Sequence, residues 1–114
     1  MYGDGSTSRD YTYVDDTVEG ILAAIAYSDS DFEIINLGNN YAVSLADLIT
    51  KISKVTGKEA IIERHPEQPG DVPRTFADIT KAKNLLGYDP KTKLDEGLEK
   101  FYQWFMANEE ILVQ

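Results

Sequence analysis

Arg9-Asp10-Tyr11-Thr12-Tyr13-Val14-Asp15-Asp16 runs straight into Thr17-Val18-Glu19-Gly20-Ile21-Leu22-Ala23-Ala24-Ile25, and this stretch decides the class of the fold. Its first half is rich in Tyr, Thr and Val, which suit a pleated, half-buried surface, so Arg9–Val14 is predicted to be a short strand. In its second half Val18, Ile21, Leu22 and Ile25 recur at i, i+3, i+4 and i+7, the apolar stripe of an amphipathic helix. Asp15 or Asp16 is placed to cap the first turn through a side-chain oxygen.

Outward from this unit the alternation continues. Residues 1–8 are small and turn-forming, a loop. Ser28-Asp29-Ser30-Asp31 ends the first helix, Phe32–Leu37 is an apolar run expected to be a buried strand, and Gly38-Asn39-Asn40 breaks it. Ser44 is positioned to cap a second helix, whose stripe is Leu45, Leu48, Ile49 and Ile52, with Gly57 as its stop. Glu59–Glu63 is a further strand candidate. His65–Pro73 carries three prolines and one glycine and is expected to be a stiff, extended loop, with Thr75–Asp78 a minimal strand after it. A short helix over Thr80–Leu86 stops at Gly87, and the last helix runs from Leu94 to Asn108 with Leu94, Leu98, Phe101, Tyr102 and Phe105 on its inner face. The class is therefore mixed α/β (α+β), with about four helices and short strands.

The 114 residues are 42% apolar and 11% aromatic, the range of one ordinary globular domain or a part of one. No apolar run of about 18 residues occurs, so no membrane span is expected. The chain has no cysteine, which excludes disulfides and thiolate chemistry and points to a cytoplasmic setting. A net charge of −9 disfavours nucleic acid and anionic lipid as partners. A small anionic ligand would then depend on a local cationic spot, for which Arg9 and Arg74 are the candidates.

Three signatures of self-contained catalysis are missing from the sequence. No G-x-G-x-x-G turn follows a predicted strand, so no dinucleotide pyrophosphate site is visible. No Tyr is followed four residues later by Lys. The single histidine, His65, has no metal-ligating partner nearby and sits in the proline-rich loop, where a surface role is the ordinary expectation.

What remains is binding chemistry. Arg9 offers a planar fork of donors matched to phosphate oxygens; the alternative is an ion pair with Asp10, Asp15 or Asp16. Tyr11, two residues on, would share the strand face of Arg9 and present its hydroxyl, or else pack as a half-buried ring. Gln68-Pro69-Gly70-Asp71 suits a type II turn, because Pro69 fixes φ and Gly70 permits a positive one. Such a turn aims the Asp71 carboxylate at sugar hydroxyls, or lets it close its own Asx-turn. Asp78 is explained as a helix cap, and the Phe101, Tyr102, Trp104 and Phe105 cluster as packing.

Taken in order, Tyr2-Gly3-Asp4-Gly5, Arg9-Asp10-Tyr11, Ile34-Ile35-Asn36-Leu37-Gly38, the Ser44–Gly57 helix, Gln68-Pro69-Gly70-Asp71, Ala77-Asp78-Ile79-Thr80-Lys81-Ala82, Leu85-Leu86-Gly87-Tyr88-Asp89-Pro90 and Leu94-Asp95-Glu96-Gly97-Leu98 resemble the C-terminal, substrate-binding part of the extended short-chain dehydrogenases/reductases, the nucleotide-sugar epimerases and dehydratases. The series looks most like the UDP-glucuronate and UDP-glucose 4-epimerases. The resemblance implies that residues 1–114 are the substrate-binding domain of a longer enzyme. It also implies that the Rossmann domain, with its NAD and the Tyr and Lys that move the proton, lies outside this chain.

It further implies that Arg9 contacts a UDP pyrophosphate with Tyr11 close by, that Asp71 takes the ribose hydroxyls, that Tyr2 covers the uracil, and that Tyr41-Ala42-Val43 lines the nucleotide's other side. Gln68 stands where UDP-glucose epimerases often carry a second Arg. That departure leans toward the glucuronate-type enzymes and leaves Arg74 as a substitute cation. In the family a hydride leaves C4 of the sugar for NAD, the keto intermediate rotates, and the hydride returns to the other face. By itself the chain is expected to be inactive and to bind nucleotide weakly. Uncovered strand edges and apolar surface are expected to drive homo-oligomerisation. A dehydratase, a reductase and a stand-alone binding module are the alternatives.

Overall fold

β1 (Ser8–Asp10) and β2 (Ala42–Ser44) pair antiparallel, with Ser8 opposite Ser44, Arg9 opposite Val43 and Asp10 opposite Ala42. Around this ribbon the computed structural model, which describes residues 1–112, arranges five helices. They are α1 (Val14–Ala26), α2 (Leu45–Thr56), α3 (Thr80–Leu86), α4 (Leu94–Ala107) and the single turn α5 (Glu109–Leu112).

The helices form where the apolar spacing placed them, and two of their ends follow local chemistry. Ser44 Oγ accepts the Asp47 N–H at 3.1 Å and donates to Asp47 Oδ2 at 2.7 Å, which holds the first turn of α2. Gly57 (φ 67°) and Gly87 (φ 65°) end α2 and α3 in the left-handed region that other residues resist. Asp78 Oδ1 accepts the Thr80 N–H at 2.9 Å at the mouth of α3. α1 departs from expectation, because no side chain caps it. Asp16 is buried instead, and its two oxygens accept the Lys91 and Thr92 N–H groups at 3.2 and 3.0 Å. It pins the loop before α4 rather than its own helix.

The strands were overestimated. β1 covers Ser8–Asp10, not Arg9–Val14. Phe32–Leu37, Glu59–Glu63 and Thr75–Asp78 are not strands, and only isolated parallel bridges occur near the last two, Tyr2 with His65 and Ser8 with Arg74. A strand needs a neighbour that pairs with its N–H and C=O groups, and no segment among the described residues pairs with Phe32–Leu37. Phe32 and Ile34 stay exposed there, at 77% and 73%, while Ile35 and Leu37 are half-buried.

The interior is thin. Val43, Ala82 and Tyr88 are the buried apolar residues, and no large side chain is fully enclosed among the described residues. The stripe of α1 is largely open, with Ile25 at 76% exposed. The half-exposed Phe101 and Trp104 stack on one another, centroids 5.9 Å apart, rather than closing a core as the sequence implied. The accessible surface of 8495 Å² exceeds the roughly 6,300 Å² that a folded monomer of this mass exposes.

Polar staples do much of the tying. Asp10 accepts three backbone N–H groups, from Asn39 (3.0 Å), Asn40 (3.1 Å) and Ala77 (3.1 Å). The Tyr88 hydroxyl donates to the Gly38 carbonyl at 2.9 Å. Burial, aided by the carboxylates of Asp16, Asp10 and Glu19, raises that phenol's pKa above its ordinary value. Lys51 Nζ reaches both oxygens of Asp95, at 2.8 and 2.7 Å, and joins α2 to α4. No helix among the described residues is long and apolar enough to cross a membrane.

Candidate functional site

β1 sets Arg9 directly across from Val43, which is 4% exposed, so the two residues share one face of the ribbon. A second segment runs parallel to the chain's first residues on this side. Met1 O accepts the His65 N–H at 2.8 Å and His65 O accepts the Gly3 N–H at 2.9 Å. Further along, Pro73 O accepts the Ser8 N–H at 2.9 Å and Ser8 O accepts the Thr75 N–H at 3.0 Å. The proline-rich loop is therefore tied at both ends to residues 1–8.

Between those ties the chain makes the turn that the sequence specified. Gln68 O accepts the Asp71 N–H at 3.1 Å, and Gly70 takes φ 88°, the positive value that a type II turn requires. The turn points Asp71 at Arg9, with Nη2 donating to Oδ1 at 2.8 Å, while Arg9 Nη1 donates to Ser8 O at 2.9 Å. Arg9 thus pairs with Asp71 and with none of its acidic neighbours in sequence. The two side chains are 29% and 48% exposed, so solvent screens the pair and holds its worth to roughly 0–1 kcal/mol. An incoming phosphate presents the same kind of oxygen acceptors to the guanidinium as the carboxylate does. A freed Asp71 then has acceptor oxygens for hydroxyl groups. The arrangement is suited to exchanging an internal ion pair for a ligand that carries both a phosphate and a diol.

The remaining expected residues are distributed more widely. Tyr2 lies on the same pair of segments, its ring 5.4 Å from that of His65. Val43 is buried and lies opposite Arg9 in the ribbon. Gln68 contributes its carbonyl to the turn. Arg74 is beside β1 through its backbone, but its guanidinium sits over the Phe76 ring at 4.8 Å. Tyr11 borders a separate apolar cavity of about 370 Å³ with Leu48, Ile52, Leu98 and Phe101. β1 stops at Asp10, so the two-residue period that would have set Tyr11 beside Arg9 does not extend to it. Sequence reasoning missed Asp10 and His65. The sequence offers Asp10 only as an ion partner for Arg9, and its amide partners at residues 39, 40 and 77 leave no local trace.

Among the described residues no group of three or more acidic or histidine side chains is arranged to hold a metal ion. The residues present do not fit NAD either. β2 passes into α2 without a glycine turn, and Ser44 already occupies the Asp47 N–H that would face a pyrophosphate.

The family model described as GDP-mannose 4,6 dehydratase matches residues 1–101. Protein MJ1055 of Methanocaldococcus jannaschii is 46% identical over 114 residues, the whole of this chain and 35% of the relative. The solved UDP-glucuronic acid 4-epimerase of Bacillus cereus, in complex with UDP-glucuronic acid and NAD, superposes with a TM-score of 0.81 at 36% identity, covering 94% of this chain and 34% of that one. The UDP-glucose 4-epimerase of Thermotoga maritima, with UDP-glucose, gives a TM-score of 0.87 at 35% identity, covering 96% and 35%. The chain spans about a third of the length of these relatives. The match over residues 1–101, with the same order of motifs, shows that the chain belongs to the GDP-mannose 4,6 dehydratase family, as the segment that corresponds to about a third of the nucleotide-sugar epimerases it resembles.

Proposed function

We propose that this chain is the UDP-sugar-binding domain of an NAD-dependent nucleotide-sugar 4-epimerase. The observation that carries the reading is the half-exposed Arg9–Asp71 pair on a loop tied at both ends to residues 1–8. Arg9 takes the diphosphate, Asp71 the ribose hydroxyls, Val43 backs the nucleotide, Tyr2 meets the base, and Gln68 holds the turn. Arg74 and Tyr11 serve at the periphery. Positioning the sugar is this domain's share of the catalysis, and NAD with the proton-moving residues belongs to the rest of the longer enzyme.

UDP-glucuronate is the favoured substrate, because Gln68 stands where UDP-glucose epimerases often carry a second Arg, a departure shared with the glucuronate-type enzymes, and the B. cereus complex holds that ligand. Titrating the chain with UDP-glucuronate, UDP-glucose and GDP-mannose, followed by amide NMR, tests the site. Shifts are expected at Arg9, Val43 and Gln68–Asp71; shifts confined to other residues would overturn it. Incubating the longer enzyme with the same sugars and resolving the C4 epimers separates epimerase from dehydratase. Self-association belongs to the same reading, because Val18, Ile21, Leu22 and Ile25 leave an apolar face open on α1. Light scattering that shows a clean monomer at high concentration would count against it.

A further inference from the structure

His65 is the chain's one histidine, and its ring is engaged rather than free. It lies 5.4 Å from the Tyr2 ring, with the planes inclined at 36°. Its Nε2 is 3.2 Å from Oε1 of the exposed Glu63. The two residues also form a parallel backbone bridge, so their side chains leave the chain in register. Gly3, next to Tyr2, takes φ +68° and donates its N–H to the His65 carbonyl at 2.9 Å, so the backbone that follows Tyr2 is held as well.

Tyr2 is still 49% exposed. A tyrosine this exposed would ordinarily sample several rotamers. Here a flat ring is held against one partner and half open to solvent, on the same pair of segments as Arg9 and Asp71. Such a ring is suited to a second flat heteroaromatic.

We infer that His65 is a positioning residue that fixes the Tyr2 ring as a stacking platform for the base of the nucleotide. The inference rests on the nucleotide-binding reading above and extends it to a residue outside the phosphate and ribose contacts. Preordering one side chain removes part of the cost of immobilising it on binding.

The test is to titrate the chain with UDP and, separately, with inorganic pyrophosphate, which has no base. Uracil H5 and H6 should move upfield on binding to the wild-type chain, through the ring current of Tyr2. His65→Ala should weaken UDP about 2- to 10-fold, shrink that shift and leave pyrophosphate affinity unchanged, and His65→Phe should restore both. Equal weakening of UDP and pyrophosphate, unchanged UDP binding in His65→Ala, or no recovery in His65→Phe would each overturn the inference. A wild-type chain that binds pyrophosphate with no uracil shift overturns it and leaves the diphosphate reading standing, whereas binding of neither ligand sinks both.

Discussion

Arg9 Nη2 and Asp71 Oδ1 meet at 2.8 Å across 62 positions of sequence. A pair this exposed adds little to stability, so its removal should show in ligand affinity and not in folding. Arg9→Met is expected to weaken UDP binding about 10- to 100-fold, the loss of a charged hydrogen bond worth about 1.5–3 kcal/mol. The melting temperature should barely move. Calorimetric titration beside a thermal melt checks both halves, and unchanged affinity would remove Arg9 from the site.

Asp71→Ala separates the two ends of the ligand. Without the carboxylate, Arg9 has lost its internal competitor, so pyrophosphate should bind as well or better. UDP should bind about 2- to 10-fold more weakly, because the ribose hydroxyls lose a neutral-to-charged hydrogen-bond partner. The same variant measured with both ligands gives opposite signs if the assignment is right, and parallel losses if Asp71 only shapes the turn.

Asp16 is 5% exposed and holds two backbone N–H groups of the loop before α4. Asp16→Ala leaves both amides without this acceptor, the one of Thr92 in a buried place, at a cost of about 1–3 kcal/mol. Urea denaturation should show the loss as a lower midpoint, with Asp15→Ala, on the exposed side of the same turn, close to wild type. Equal effects of the two would mean that Asp16 acts as an ordinary helix-turn residue.

The Lys51–Asp95 pair gives a pH signature. The hydrogen bond from Lys51 lowers the Asp95 pKa below its ordinary value, and the hydrogen bond to Asp95 raises that of Lys51 above its own. A carboxylate with a lowered folded pKa contributes stability above its unfolded pKa and loses it as pH falls through the folded one. The lysine contribution is complete below its unfolded pKa and is lost as pH rises through the raised value. Asp95→Asn should therefore melt slightly below wild type at neutral pH, with the gap closing below about pH 4. It should also narrow in high salt, since the pair is exposed. A gap that stays constant as the pH is lowered through the titration of Asp95 would assign the effect to packing.

The helices were legible because their information is local. The spacing of Leu45, Leu48, Ile49 and Ile52, the Ser44 cap and the Gly57 stop all lie within one short stretch, and so do Pro69 and Gly70 in the turn. The strands were not legible to the same degree. Ile34, Ile61 and Ile62 have the composition of strand residues, yet pairing depends on a neighbour that composition does not reveal. The site divides the same way. Arg9 and Asp71 were identified from the chemistry of their types and their turn, and they meet. Tyr11 was placed by a strand period that ends one residue too early to apply. Asp10, Asp16 and His65 act on residues 29 to 76 positions away or on a ring at the far end of the chain, which no single stretch records.

The thin interior has a calorimetric consequence. Little hydrocarbon is hidden from water when this chain folds, so little is newly hydrated when it melts. The heat-capacity increment of unfolding should fall below the roughly 1.4–1.7 kcal/mol/K usual for a domain of this length. The stability curve is then flat, and the endotherm is broad and low.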